Sequence, residues 1–187
     1  MHSAVQTLEA QLWTPSSCDE FAWTFLRAEM HKLGALRNSP LLATPNFSDA
    51  AENARRKELL AGIRACLLNR IPASTNWHRL QFLHRDHFPH LYVIGRCGWD
   101  SSQDQNQLER VAERSQIKLQ TSATRWPPLI LWGHTRGGDF TILEGNNRLV
   151  AYAGAADTTP ISAEVLVGLS AEPCFWHLAD EFPIPKA

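Results

Sequence analysis

The chain has 187 residues, of which 44% are hydrophobic and 20% are charged, and its formal net charge is −1. This length and composition are typical of one folded domain, and no apolar run is long enough for a membrane span. A dedicated duplex-DNA binder usually carries a basic excess, so the charge balance argues against nucleic acid as the partner. The stretch MHSAVQTLEAQLW lacks the pattern of a secretory signal. The four widely scattered cysteines are interpreted as mostly buried thiols, which predicts a cytoplasmic protein.

The first part of the chain carries the hydrophobic periodicity of helices. One apolar face over residues 5–12 predicts a helix that Pro15 ends. Ser17 followed by Glu20 forms a capping box, which predicts the start of a second helix. Gly34 is well suited to the end of that helix, because glycine readily adopts the left-handed conformation there.

A third helix is predicted after a loop over residues 35–47, which hold two prolines and little periodicity. Ser48 is the predicted cap of this helix. Its first turns contain the basic run Arg55, Arg56 and Lys57, which we interpret as a solvated helix face.

The polar residues 71–76 mark the predicted boundary between two regions. Residues 1–75 form a helical region and residues 76–187 form an α+β region, and we expect the two to make one compact unit. Strands are predicted over 79–83 and 91–94, where the apolar residues alternate or run together.

A histidine-rich stretch lies between these two predicted strands. It brings together His84, Asp86, His87 and His90, and imidazole and carboxylate groups are common metal ligands. Their spacing matches no metal motif, however, and Pro89 indicates a polar loop. We therefore predict no structural metal here, and we keep Asp86 as a candidate for proton transfer.

The most informative stretch is a predicted hairpin. Residues 129–134 and 140–143 are short runs of strand type, and residues 136–139 read Arg-Gly-Gly-Asp, a sequence typical of a tight turn. A further strand is predicted over residues 161–167. The predicted order of elements is helices, then strands, a hairpin, a helix and a returning strand. This order predicts an α+β fold with a small mixed sheet and flanking helices.

A strand-to-helix junction follows the hairpin at Glu144-Gly145-Asn146-Asn147-Arg148. A helix start carries unpaired N–H groups and partial positive charge, and arginine offers a planar fork of donors. Gly145 would let a ligand approach the backbone, so the junction predicts an anion site at Gly145, Asn146, Asn147 and Arg148. The alternative is an ordinary asparagine cap followed by an arginine that faces solvent.

The segment FTILEGNNRLVAYAGA resembles the signature of the ParB/sulfiredoxin superfamily, and the resemblance covers residues 127–168. Sulfiredoxins have Gly-Cys-His-Arg here, chromosome-partitioning ParB proteins have Gly-Glu-Arg-Arg, and the free serine kinases of this fold have Asp-Gly-His-His-Arg. Gly145 and Arg148 match all three versions. Asn146 stands where sulfiredoxins have their reactive cysteine, so sulfiredoxin activity is not expected.

The resemblance implies a pocket at the sheet edge that holds a phosphate group. We expect a phosphate-bearing small molecule or nucleotide, bound with Mg²⁺, and a phosphotransferase or phosphohydrolase reaction. Glu144, His134 or Asp86 would transfer protons, and His177 would border the site. The alternatives are a nucleotide-binding switch without chemistry and a ParB-like DNA-binding protein or nuclease.

Our first prediction is that no cysteine is catalytic, since Asn146 replaces the sulfiredoxin nucleophile and Cys18, Cys66, Cys97 and Cys174 form no paired motif. Replacement of each cysteine by alanine in turn should leave nucleotide binding unchanged in thermal-shift measurements. Loss of activity in a folded Cys174→Ala protein would contradict this.

Overall fold

The structure is a computed structural model, and the ranges it describes are 8–30, 33–80, 87, 90–93, 128–146, 148–149 and 164–171. The helices are α1 (Cys18–Ala28), α2 (Pro40–Ala43) and α3 (Ala50–Arg70), with 3-10 turns at Leu8–Ala10 and Gly34–Asn38. The strands are β1 (Thr14–Pro15), β2 (Asn76–Leu80), β3 (Leu91–Val93), β4 (Leu129–Gly133), β5 (Phe140–Glu144) and β6 (Val165–Leu169). In these ranges no helix combines the length and apolarity that crossing a bilayer requires.

The described strands form one mixed sheet in the order β1-β2-β6-β4-β5-β3. β4 pairs with β5 antiparallel and with β6 parallel, and β3 pairs with β5 parallel. The predicted α+β fold with a mixed sheet is therefore confirmed, as is the predicted hairpin. The turn of the hairpin places Gly138 and Asp139 at positive φ, at 132° and 58°.

One face of the sheet packs against α1 and α3 in a single hydrophobic core. Trp77 of β2, Trp132 of β4 and Leu166 of β6 belong to this core together with Phe21 and Leu60 from the helices. The rings of Phe21 and Trp77 stack with their centroids 4.2 Å apart. The helical region and the sheet thus share one core, and the polar residues of the predicted boundary connect α3 to β2.

The other face of the sheet is buried as well. Leu131, Val167, Phe140 and Ile142 point to this face and are fully buried. A strand buried on both faces reads as a continuous apolar run rather than an alternating one. This explains why β4, with the sequence LILWG, was recognisable from composition alone.

Pro15 does not end a helix, so that prediction is wrong. Of the predicted helix over residues 5–12, the described residues 8–12 form a 3-10 turn at Leu8–Ala10, and Pro15 lies in β1, where it pairs with His78. Proline is tolerated in an edge strand because its missing N–H can face away from the sheet.

The loop predicted over residues 35–47 is also partly wrong, because it contains a 3-10 turn and α2. Ser39 caps α2 through its hydroxyl, and Pro40 occupies the first turn, where proline is favoured. The cap of α3 is Asp49 rather than Ser48, and its carboxylate accepts from two N–H groups. The remaining boundaries differ by a few residues, since α1 ends at Ala28 and β2 begins at Asn76.

Arg56 is the largest exception to the predicted solvated face, because its side chain is fully buried. Its guanidinium donates to the carbonyl of Leu41 at 2.9 Å and to Asn53 at 2.6 Å, and it forms an ion pair with Glu52. It therefore ties α2 to α3. A local charge pattern could not show this, since Leu41 lies 15 residues away in sequence.

Arg56→Ala should lower the free energy of unfolding by about 2–4 kcal/mol, because it leaves buried acceptors without donors. Arg55→Ala is the matched control on the same helix. Because Arg55 is exposed, its replacement should change the free energy of unfolding by less than about 0.5 kcal/mol. Urea unfolding of both variants measures the difference in the free energy of unfolding. Equal urea midpoints for the two variants would contradict the claim that Arg56 holds α2 against α3.

Candidate functional site

The predicted strand-to-helix junction is present. β5 ends at Glu144, Gly145 has a φ of 107°, and Asn146, Arg148 and Leu149 are helical. The N–H groups of Arg148 and Leu149 donate to the carbonyl of Gly145 at 3.0 and 2.9 Å. Gly145 is therefore the residue from which the helix starts.

Arg148 lies inside the protein, with 3% of its surface exposed. Its Nη2 atom donates to the carbonyl of Pro128 at 3.2 Å and to the Glu144 carboxylate at 3.4 Å. The alternative interpretation, a solvent-facing arginine after an asparagine cap, is therefore wrong. Direct contact between Arg148 and an anion stays a prediction. The geometry shows that Arg148 connects the start of the helix to Pro128, the residue ahead of β4.

Gly145 is required by the packing of the protein itself. A Cβ atom at this position would lie 2.3 Å from Cδ2 of Leu129 and 3.3 Å from Nη2 of Arg148. The positive φ would also strain any other residue. The space beside the Gly145 backbone, which we had predicted for a ligand, is thus occupied by Leu129 and Arg148.

Of the remaining predicted site residues, the structure describes Asn146 and His134. Asn146 donates to the carbonyl of Ile142 at 3.4 Å, and its buried Oδ1 has no partner in the described part of the chain. Asp86, Asn147 and His177 lie outside the described residues.

His134 lies at the opposite end of β4 from Glu144. Its Nδ1 is 2.8 Å from the carbonyl of Ser170, which fixes Nδ1 as the protonated nitrogen of the neutral ring. Glu144 pairs with Ile130, four residues before His134, and strand geometry makes that distance roughly 13 Å. The two proposed proton-transfer groups therefore cannot act on the same small chemical group.

A cavity of about 470 Å³ opens at the same end of the sheet as the junction. It lies between α1 and the sheet, where β4 and β6 begin and β2 ends. Its polar lining comes from three segments that are distant in sequence: Glu20, Trp23, Thr24 and Arg27 from α1, Arg79 from β2, and Glu164 ahead of β6.

The spacing of residues on α1 explains how one helix serves both core and cavity. Glu20, Trp23 and Arg27 follow at three- and four-residue intervals and share one side, while Phe21 and Phe25 pack in the core. Ser17 caps the helix, accepting from the Glu20 N–H at 3.1 Å. This confirms the Ser17 half of the predicted capping box.

The Glu20 side chain is directed to the cavity rather than back to the cap. Its carboxylate accepts from the Ser16 hydroxyl at 2.6 Å and pairs with Arg79. Arg79 also donates to Glu164 at 3.1 Å. Two carboxylates thus share one guanidinium, and this group has a net charge of −1 when all three are ionised.

Arg27 supplies the opposite charge at the other end of the α1 face. Its guanidinium lies 5.3 Å from the centre of the Trp23 ring and donates to the carbonyl of Leu42 at 3.2 Å. Within the described ranges no carboxylate pairs with it. Because Arg27 is exposed and lines the cavity, its charge is available to a ligand.

The junction and the cavity meet at Pro128. This residue lines the cavity, and its carbonyl accepts from Arg148. Arg148 therefore fixes part of the cavity wall without itself lining the cavity.

The cavity residues were not predicted from sequence. Glu20 was interpreted only as a capping residue, and Arg27 and Glu164 carry no motif. Arg79 offered the one usable signal. It lies two residues after Trp77 on the same strand, so both side chains are on the face that packs against the helices. An apolar residue is expected there, and a charged one is unusual.

Within the described ranges, no group of three or more His, Cys, Asp or Glu side chains could hold a metal ion. Burial raises the pKa of the Cys18 thiol, and the nearby Lys57 ammonium lowers it by less. Cys18 is thus mainly a protonated thiol at neutral pH, which makes it a weak nucleophile.

Comparisons with models of protein families, with curated proteins and with solved structures give no significant match to this chain. The likeness to the ParB/sulfiredoxin superfamily therefore rests on the junction motif.

Gly145→Ala should destabilise the fold by several kcal/mol, because the new methyl group meets Leu129 and the positive φ becomes strained. Gly62→Ala is the control. Gly62 lies in α3 with open space around its Cβ position, so alanine should stabilise the protein by roughly 0.5–1 kcal/mol. Thermal unfolding measures both effects, and a Gly145→Ala protein as stable as the parent would contradict the packing argument.

Proposed function

We propose that this protein binds a phosphate-bearing small molecule or nucleotide in the cavity between α1 and the sheet. The observation that carries the proposal is Arg27, a cation that lines the cavity without a carboxylate partner in the described part of the chain. The volume of about 470 Å³ is within the range of small-molecule sites.

Arg27 would bind the phosphate group through its guanidinium. Its contacts with Leu42 and Trp23 hold it in place, so less side-chain entropy is lost when an anion binds. Trp23, also held by Leu42 through a hydrogen bond of 3.0 Å, presents an aromatic ring to the cavity. A nucleotide base or another flat apolar group would pack on that ring.

The junction supports the same location. The superfamily resemblance implies a phosphate pocket near Gly145 and Arg148. The space beside Gly145 itself is filled by Leu129 and Arg148, but Arg148 binds Pro128, which lines the cavity. In this proposal Arg148 is a positioning residue that holds the wall, and the contact with phosphate is made by Arg27.

The proposal is one of binding rather than of a particular reaction. Glu144 is paired with Arg148, and His134 lies at the other end of the sheet, so neither is placed to transfer a proton in the cavity. The cavity carboxylates Glu20 and Glu164 both bind Arg79, which does not suit them to holding Mg²⁺. Any Mg²⁺ would come with the phosphates of the ligand.

Thermal-shift measurements with ATP, ADP, CTP and inorganic phosphate, each with and without Mg²⁺, should identify a ligand that raises the melting temperature. Arg27→Ala should then weaken that binding roughly tenfold to a hundredfold in calorimetry, because it removes a charge-assisted hydrogen bond.

Arg55→Ala again serves as the control, since it removes an equally exposed arginine away from the cavity. Its affinity should equal that of the parent. The proposal fails if none of these compounds binds, or if folded Arg27→Ala binds as tightly as Arg55→Ala.

A further inference from the structure

We infer that the cavity selects phosphate ligands that carry a positively charged group about 10 Å from the phosphate. This inference rests on the proposed function, and it concerns the end of the cavity opposite Arg27. It would make the bound molecule an amine-bearing phosphate ester rather than a simple phosphate.

The charges of the cavity are separated along α1. Glu20 and Arg27 are seven residues apart, which places their Cα atoms about 10 Å apart along the helix axis. Arg79 and Glu164 lie at the Glu20 end, because Arg79 pairs with both carboxylates. One end of the cavity is therefore negative by one charge, and the other end carries the positive charge of Arg27.

Glu164 is the carboxylate that a ligand can reach. Both oxygens of Glu20 are engaged, one by Ser16 and one by Arg79, and its side chain is mostly buried. The Glu164 side chain is 46% exposed, and it touches Arg79 through Oε1. A ligand ammonium group would therefore be attracted to Glu164. There it would neutralise the one negative charge that Arg79 leaves uncompensated on the two carboxylates.

The cavity also has apolar lining that suits an apolar spacer. Met30, Val165 and Leu166 line the cavity together with the charged residues. A short alkyl chain between phosphate and ammonium would bury its methylene groups there, with each end of the ligand facing the opposite charge.

Two alkyl phosphates of equal length test this directly. Hexyl phosphate and 6-aminohexyl phosphate differ only in the terminal ammonium group, whose distance from phosphate matches the separation along α1. The parent protein should bind the aminohexyl compound roughly two- to fivefold more tightly, because an exposed ion pair contributes modestly. The preference should decrease at high ionic strength.

Glu164→Gln should abolish the preference for the aminohexyl compound, and it should not weaken the binding of hexyl phosphate, because it removes a negative charge from the cavity. Glu58→Gln is the control, because Glu58 is an exposed carboxylate of α3 outside the cavity lining, and this variant should keep the preference. Circular dichroism verifies that both variants are folded.

Equal affinity of the parent for the two compounds would overturn the inference, as would a preference that survives Glu164→Gln. If hexyl phosphate still binds and Arg27→Ala weakens it, the proposed function stands although the inference has failed. If neither compound binds the parent, the inference is rejected, and the nucleotide and phosphate measurements above decide the proposed function separately.

Discussion

The buried guanidinium of Arg148 is the interaction on which this end of the molecule depends. It donates to the Glu144 carboxylate at the end of β5 and to the carbonyl of Pro128 ahead of β4, while the backbone N–H of Arg148 donates to Gly145 at the helix start. Two segments about 20 residues apart in sequence, the β5-to-helix junction and the chain ahead of β4, thus meet around one charged group. A buried charge must be paired and hydrogen-bonded, so this requirement fixes where the segments lie relative to one another.

The cavity follows from this arrangement together with α1. The helix is held by Phe21 and Phe25 in the core, and the same rotation of the helix turns Glu20 and Arg27 toward the sheet end. Pro128, to which Arg148 is hydrogen-bonded, forms one part of the cavity wall, and the charged face of α1 forms another part. In the proposed function, stability and ligand binding depend on different arginines, since Arg148 is buried in the fold and Arg27 is exposed.

The sequence predicts the hairpin and the junction but not the long-range placement of charged side chains, and the predicted helix before Pro15 and part of the predicted loop over 35–47 are wrong even locally. The hairpin and the Gly145 junction were predicted because strand patterns, turn residues and helix periodicity all act over a few residues. The burial of Arg148 depends on Pro128, 20 residues away, and that of Arg56 on Leu41. The cavity was missed for the same reason, because pairing with Arg79 joins α1 to residues far along the chain.

Urea unfolding of Arg148→Ala, with Arg27→Ala beside it, tests most directly whether Arg148 is a structural tie. The account predicts that Arg148→Ala lowers the free energy of unfolding by about 3–5 kcal/mol, because its removal breaks a buried pair. Arg27→Ala, at an exposed position, should unfold at nearly the parental urea concentration. An Arg148→Ala protein that unfolds with the parental midpoint and slope would contradict the account, and would return Arg148 to the role of a direct anion ligand.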